Sequence, residues 1–119
     1  MRSRTSADPA LPPPDPVADL GRFAEPALLI LVALADGAKH GYAIMQDIEA
    51  SSGGARVGPG TLYGALARLE RRGWIEALPS DDRRRPYRLT GAGVGALRDH
   101  LGAMERLAHL GLRRLEMPI

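Results

Sequence analysis

GPGTLYGALARLERRGWI, residues 58–75, decides how this chain folds. Pro59 suits the first turn of a helix, because its missing N–H would have had no partner there and its fixed φ is already helical. Gly73 suits the far end, where helices commonly close through a residue of positive φ. Between them Leu62, Leu66 and Leu69 recur at three and four residues and mark the core-facing side. Thr61, Gly64, Arg68, Arg71 and Arg72 fall together on another side, a flank that is small at its start and cationic toward its end. Gly58 stands where a capping side chain would be, a place at which glycine is tolerated.

Downstream, Trp74 to Leu78 and Pro86 to Leu89 are predicted as two short strands. They are joined by the turn-forming Pro79-Ser80-Asp81-Asp82 and by Arg83-Arg84-Arg85, which gives a hairpin with a basic tip. Thr90 is placed to cap a last helix, in which Val94, Leu97, Leu101, Met104 and Ala108 keep a three-four alternation that Leu112 and Leu115 extend. Such a seam asks for a partner helix. Gly91, Gly93 and Gly95 crowd its first turn at about 1 kcal/mol each relative to alanine, so that end is expected to fray unless dimer packing holds it.

Upstream, Phe23, Ala27, Ile30, Leu31 and Leu34 predict a helix from about Arg22 to Ala35, closed by Asp36-Gly37. Tyr42, Ile44, Met45 and Ile48 predict a second from about Gly41 to Ala50, broken by Ser51-Ser52-Gly53-Gly54. Residues 1–21 hold Pro9, Pro12, Pro13, Pro14 and Pro16 and are expected to form a disordered leader; Pro9 and Pro12 satisfy a PxxP spacing that arises readily by chance. The order helix, helix, arginine-bearing helix, hairpin, long helix is that of a winged helix-turn-helix. The expected fold is mainly α with a small β-hairpin wing, with a leader at 1–21, the winged domain at 22–90 and a dimerisation helix at 91–119.

Bulk properties narrow the function. The 119 residues have room for one domain, and 45% apolar with 25% charged residues is an ordinary globular balance. Net charge is only +2. Between Arg56 and Arg88, however, arginines 56, 68, 71, 72, 83, 84, 85 and 88 outnumber Glu70, Glu76, Asp81 and Asp82, which points to a polyanionic partner. A helix about 10–12 Å across fits the major groove, and an arginine-bearing wing adds grip on the backbone or minor groove. No cysteine is present, so disulfides, thiolate metal sites and a cysteine nucleophile are excluded. The longest apolar run, Pro26 to Ala35, is far shorter than the roughly 20 residues of a membrane span, and a soluble, cytoplasmic protein is expected.

HGYAIMQDIE at 40–49, GPGTLYGALARLERRGWI at 58–75 and RRPYRLTGAG at 84–93 together resemble the PadR family of regulators, over nearly everything from about residue 26 onward. The resemblance implies a dimeric DNA-binding regulator, usually a repressor, whose C-terminal helix exchanges contacts with its twin and whose ligand, where one exists, relieves binding. By position, Gly60, Thr61, Leu62 and Tyr63 match the start of the family's recognition helix, Tyr42 its Gly-Tyr helix, and Arg84 to Tyr87 its wing. Gly58 departs from the serine common there. The sequence ends at Ile119, like the shorter members with one C-terminal helix, which weakens the expectation of ligand sensing.

The expected DNA contacts are Tyr42, Pro59, Gly60, Thr61, Tyr63, Gly64, Arg68, Arg71, Arg83, Arg84, Arg85 and Arg88, and the expected dimer contacts are Phe23, Val94, Leu97, Leu101, Met104, Ala108, Leu112 and Leu115. The partner is duplex DNA carrying a pseudo-palindromic site, with a small-molecule effector as an open addition. Trp74 is expected to pack the wing onto the core rather than stack a ligand. His40, His100 and His109 share no metal-ligand spacing, and Glu105 with His109 makes only a helix-surface pair. No catalytic triad, phosphate loop, metal site or cofactor is expected. Two other readings remain: a winged protein-interaction module that does not touch DNA, and a small-molecule sensor with its pocket between C-terminal helices.

Overall fold

In the computed structural model the described residues are 17–116, apart from 52, 54 and 82. The proline-rich leader up to residue 16, the breaking residues Ser52 and Gly54, the turn residue Asp82 and the last three residues lie outside them. A 3₁₀ helix, Ala18–Phe23, leads into α1, Ala24–Leu34; α2, Gly41–Ser51, and α3, Pro59–Arg71, follow. The strands β1, Ile75–Ala77, and β2, Tyr87–Leu89, form an antiparallel hairpin with Ile75 opposite Leu89, and α4 is a long helix, Gly91–Glu116. This is the predicted winged helix-turn-helix with a long C-terminal helix.

Both ends of α3 form as their residues dictate. Pro59 occupies the first turn behind Gly58. At the other end Gly73 adopts a φ of 76°, its N–H donates to the Glu70 carbonyl at 3.0 Å, and the Trp74 N–H donates to the Leu69 carbonyl at 3.1 Å. These paired bonds satisfy carbonyls that the helix end would otherwise leave open. Leu62, Leu66 and Leu69 then meet Ile30, Leu31, Ile44, Ile48 and Ile75 in a core from which all of these side chains exclude water. No polar side chain is buried among the described residues.

Two boundaries move. The leader was expected to run to residue 21, yet Val17 and Leu20 are buried in the core, 3% and 8% exposed, so the folded unit begins earlier. Helix α1 starts at Ala24 rather than Arg22, because the chain kinks at Gly21, which holds a φ of 61°.

The start of α4 also differs from expectation. Thr90 caps it as predicted, its Oγ1 accepting from the Gly93 N–H at 3.1 Å. Gly93 packs so tightly on the residue that leads into β1 that a Cβ there would stand 2.0 Å from the Trp74 carbonyl oxygen. The glycine that weakens the helix locally is what lets the helix approach, and packing holds this turn.

The hairpin has an unforeseen third member. Lys39 and Tyr87 exchange both backbone hydrogen bonds, at 3.0 and 2.9 Å, so the residues just before α2 lie along the free edge of β2. A lone bridge leaves no periodic trace in sequence. The Lys39 ammonium turns back to the Ala33 carbonyl and the Asp36 carboxylate, which closes the turn after α1. The hydrogen bond and charge of Lys39 hold the Asp36 carboxyl below its ordinary value of 3.8.

Candidate nucleic-acid interface

Three separate stretches of chain meet beside α3. A cleft of about 170 Å³ is lined by Gly41 and Tyr42 from the start of α2, Tyr63 from α3, and Arg83, Arg84, Arg85 and Tyr87 from the wing. Gly41 makes this meeting possible, since a Cβ there would lie 2.7 Å from the Tyr63 hydroxyl. Tyr42 and Tyr63 are each more than half exposed, at 59% and 52%. Tyr87, half-buried at the cleft floor, has its phenol pushed above the usual 10.0 first by burial, then by Glu70 and Tyr63, against the opposing charge of Arg85.

Beside the cleft stands the open N-terminus of α3. Pro59, Gly60 and Thr61 are exposed, no side chain caps the first turn, and nothing stands where a Gly60 side chain would be. The first-turn amides of Gly60 and Thr61 therefore have no intrahelical acceptor and carry the positive end of the helix dipole toward solvent. Such an end accepts phosphate oxygens or base-edge acceptors. Arg71 extends the exposed surface toward the C-terminal end of the helix.

Three of the expected DNA contacts also have partners within the fold. Arg68 lies 3.8 Å from the Phe23 ring centroid and donates to the Gly64 carbonyl at 3.0 Å, so its guanidinium closes the seam between α3 and the leading 3₁₀ helix. Gly64 faces that seam too: a Cβ would touch Phe23 Cε1 at 3.0 Å, which makes this glycine a packing residue. Arg88 sits opposite Glu76 and pairs with it at 2.6 Å, so its charge is met within the hairpin. Arg72, on the same turn as Arg71, stands 5.4 Å from the Trp74 ring. Trp74 itself is buried, as expected, joining wing to core.

The expected dimer surface divides in the same way. Val94, Leu101, Met104, Ala108, Leu112 and Leu115 are exposed on α4. Phe23 and Leu97 are not: they are 9% and 6% exposed and belong to the chain's own core. Phe23 lies on the stripe of Ala27 and Ile30, and spacing alone does not say whether a stripe meets its own domain or a second one. Leu107 and Leu110 are exposed on α4 as well, missed because they lie outside the single three-four seam. Where α4 leaves the domain, Val94, Leu97, Leu101 and Gly102 line an apolar groove of about 620 Å³ with Ala35 and Leu89, rimmed by Arg98 and Glu105.

Among the described residues, no three His, Asp or Glu side chains gather as a metal site requires, and no helix is long and apolar enough to cross a membrane.

The profile of the transcriptional regulator PadR-like family matches residues 30–99. An uncharacterized 37.1 kDa protein in transposon TN4556 of Streptomyces fradiae is 51% identical over 81 residues, 68% of this chain but only 23% of that protein, so the chain spans about a quarter of that relative. Transcriptional regulator Rv3488 of Mycobacterium tuberculosis is 45% identical over 84 residues, 68% of this chain and 77% of that protein. Among solved structures, a transcriptional regulator from Clostridium thermocellum matches with a TM-score of 0.65 at 26% identity, over 84% of this chain and 95% of that one. A PadR family transcription regulator from Clostridium difficile R20291 matches at 0.67 over 75% and 96%, and at 23% identity that likeness speaks to the fold alone.

Proposed function

We propose that this chain, which belongs to the PadR-like family of transcriptional regulators, acts as a homodimeric repressor that binds a pseudo-palindromic site on duplex DNA. The observation that carries the reading is the convergence of Tyr42, Tyr63 and the wing arginines 83–85 beside the uncapped start of α3. In this reading α3 enters the major groove through Pro59, Gly60, Thr61 and Tyr63, and Arg71 meets the backbone farther along. The wing arginines hold phosphates or the adjacent minor groove. Arg68, Gly64 and Arg88 support the fold and touch no DNA.

Dimerisation is supported by the unpartnered apolar face of α4, which runs from Val94 to Leu115. Isolated helices are marginal in water, and an apolar face this long finds stability against a second copy. Two protomers joined through α4 would set their recognition helices about 34 Å apart, one duplex turn, and repress by occluding a promoter in the cytoplasm.

Selection from a pool of random duplexes tests this reading directly. Enrichment of a two-fold symmetric sequence, bound by a dimer in sedimentation, is expected. Recovery of no sequence at moderate salt would instead favour a protein-interaction module on the same fold. The apolar groove between α4 and the domain supports a second reading, in which a small apolar effector binds there and weakens DNA binding.

A further inference from the structure

Within the LTGAG segment, residues 89–93, Thr90 and Gly93 lie outside the proposed DNA contacts yet are closely held. Thr90 ties three elements together. Its hydroxyl donates to the Gly73 carbonyl at 2.5 Å and accepts from the Gly93 N–H, and its own N–H donates to the Trp74 carbonyl at 3.0 Å. Gly73 is the residue that closes α3, and Trp74 is anchored back to α3 through its bond to the Leu69 carbonyl. Gly93 allows the first turn of α4 to rest on the Trp74 carbonyl with no space to spare. The end of the recognition helix and the start of the dimer helix therefore share one hydrogen-bonded junction, with no flexible linker between them.

We infer that Thr90 and Gly93 are positioning residues for operator geometry: they lock the angle between α3 and α4, and so set which half-site spacing the dimer accepts. The inference rests on the proposed dimeric DNA binding. The lever is long. Adding a Cβ at Gly93 requires α4 to retreat by at least 1 Å, from 2.0 Å to the 3.0 Å below which real Cβ contacts essentially never occur. Taken over one helical turn of about 5.4 Å, that is a tilt of about 10°. At Arg106, about 20 Å along the axis at 1.5 Å per residue, the tilt displaces the helix by about 3.5 Å. In a dimer built on this helix, both recognition surfaces would turn relative to each other.

The chain has no cysteine, so spin labels can be placed at will. Labels at Glu70→Cys on α3 and Arg106→Cys on α4, in doubly labelled chains diluted with unlabelled protein, report the angle within one protomer. A narrow distance distribution is expected for the parent. Gly93→Ala should move its mean by up to about 3.5 Å, and Thr90→Val, which removes the hydroxyl without adding bulk, should broaden it, with Thr90→Ser restoring it. If Gly93→Ala does not fold, the Thr90 pair decides. In parallel, selected duplexes with the spacer lengthened or shortened by one base pair should be discriminated tenfold or more by the parent and less than threefold by Thr90→Val, at equal affinity for a single half-site. An unchanged distance distribution in Thr90→Val would overturn the inference, as would single- and double-site affinities falling together. If the parent binds no duplex, the proposed function fails, and the distance measurement still decides whether the junction is rigid.

Discussion

Replacing Arg83 and Arg85 together with alanine gives the sharpest test of the wing. Both side chains are exposed at the hairpin tip and line the cleft shared with Tyr42 and Tyr63. If each meets one phosphate, each releases condensed counterions, and the slope of log K against log salt should flatten by about 0.9 per contact, about 1.8 for the pair. The same contacts contribute about 1.8 log units at 0.1 M salt, so affinity there should fall about 60-fold. The assay is fluorescence anisotropy on a selected duplex between about 50 and 200 mM salt. Arg88→Ala is the internal comparison: with its charge met by Glu76, its slope change should stay below about 0.3. An unchanged slope in the double variant, or a larger change in Arg88→Ala, would refute the assignment of the tip to phosphate.

Other outcomes follow from the same structure. Gly73→Ala meets no neighbouring atom but must adopt a φ of 76°, so urea unfolding should show a loss of about 1–2 kcal/mol from backbone strain alone. Leu101→Asp with Leu112→Asp, both on the exposed face of α4, should give a monomer in sedimentation, and its melting temperature should no longer depend on protein concentration; a variant that still dimerises would remove α4 from the interface. The Asp36 carboxyl should titrate by NMR below 3.8, and Lys39→Gln should bring it back up. Because the folded value is depressed, the stabilisation from this pair is complete above 3.8 and is lost as pH falls through the folded value.

Much of the fold was legible because its signals are local. Pro59, Gly73 and the Leu62-Leu66-Leu69 stripe define α3 without reference to the rest of the chain, and Thr90 marks the start of α4 in the same way. Of the expected DNA contacts, Tyr42, Gly60, Thr61, Tyr63, Arg71 and the wing arginines are exposed, as the proposed contact with DNA needs. The surroundings of the other residues depend on partners distant in the chain. A helical wheel places Gly64 and Arg68 on a flank but does not say what covers it, and here the cover is residues 18–23, reached through a proline-rich stretch with no periodic signal. The Arg88–Glu76 pair depends on hairpin register, which the wing loop leaves undetermined until Ile75 is known to oppose Leu89. Phe23 and Leu97 satisfy an outward stripe and an inward one equally well.

The bridge between Lys39 and Tyr87 bears on the order in which the molecule assembles. Two strands of three residues make a hairpin that is marginal in water by itself, and this one draws its outer support from a residue that α2 and α3 separate from it along the chain. Closing so long a loop is entropically costly until α1, α2 and α3 have packed and brought residue 39 into place. The wing is thus a late product of folding. A fragment beginning after α2 would retain every residue of the hairpin and lack what keeps it in shape.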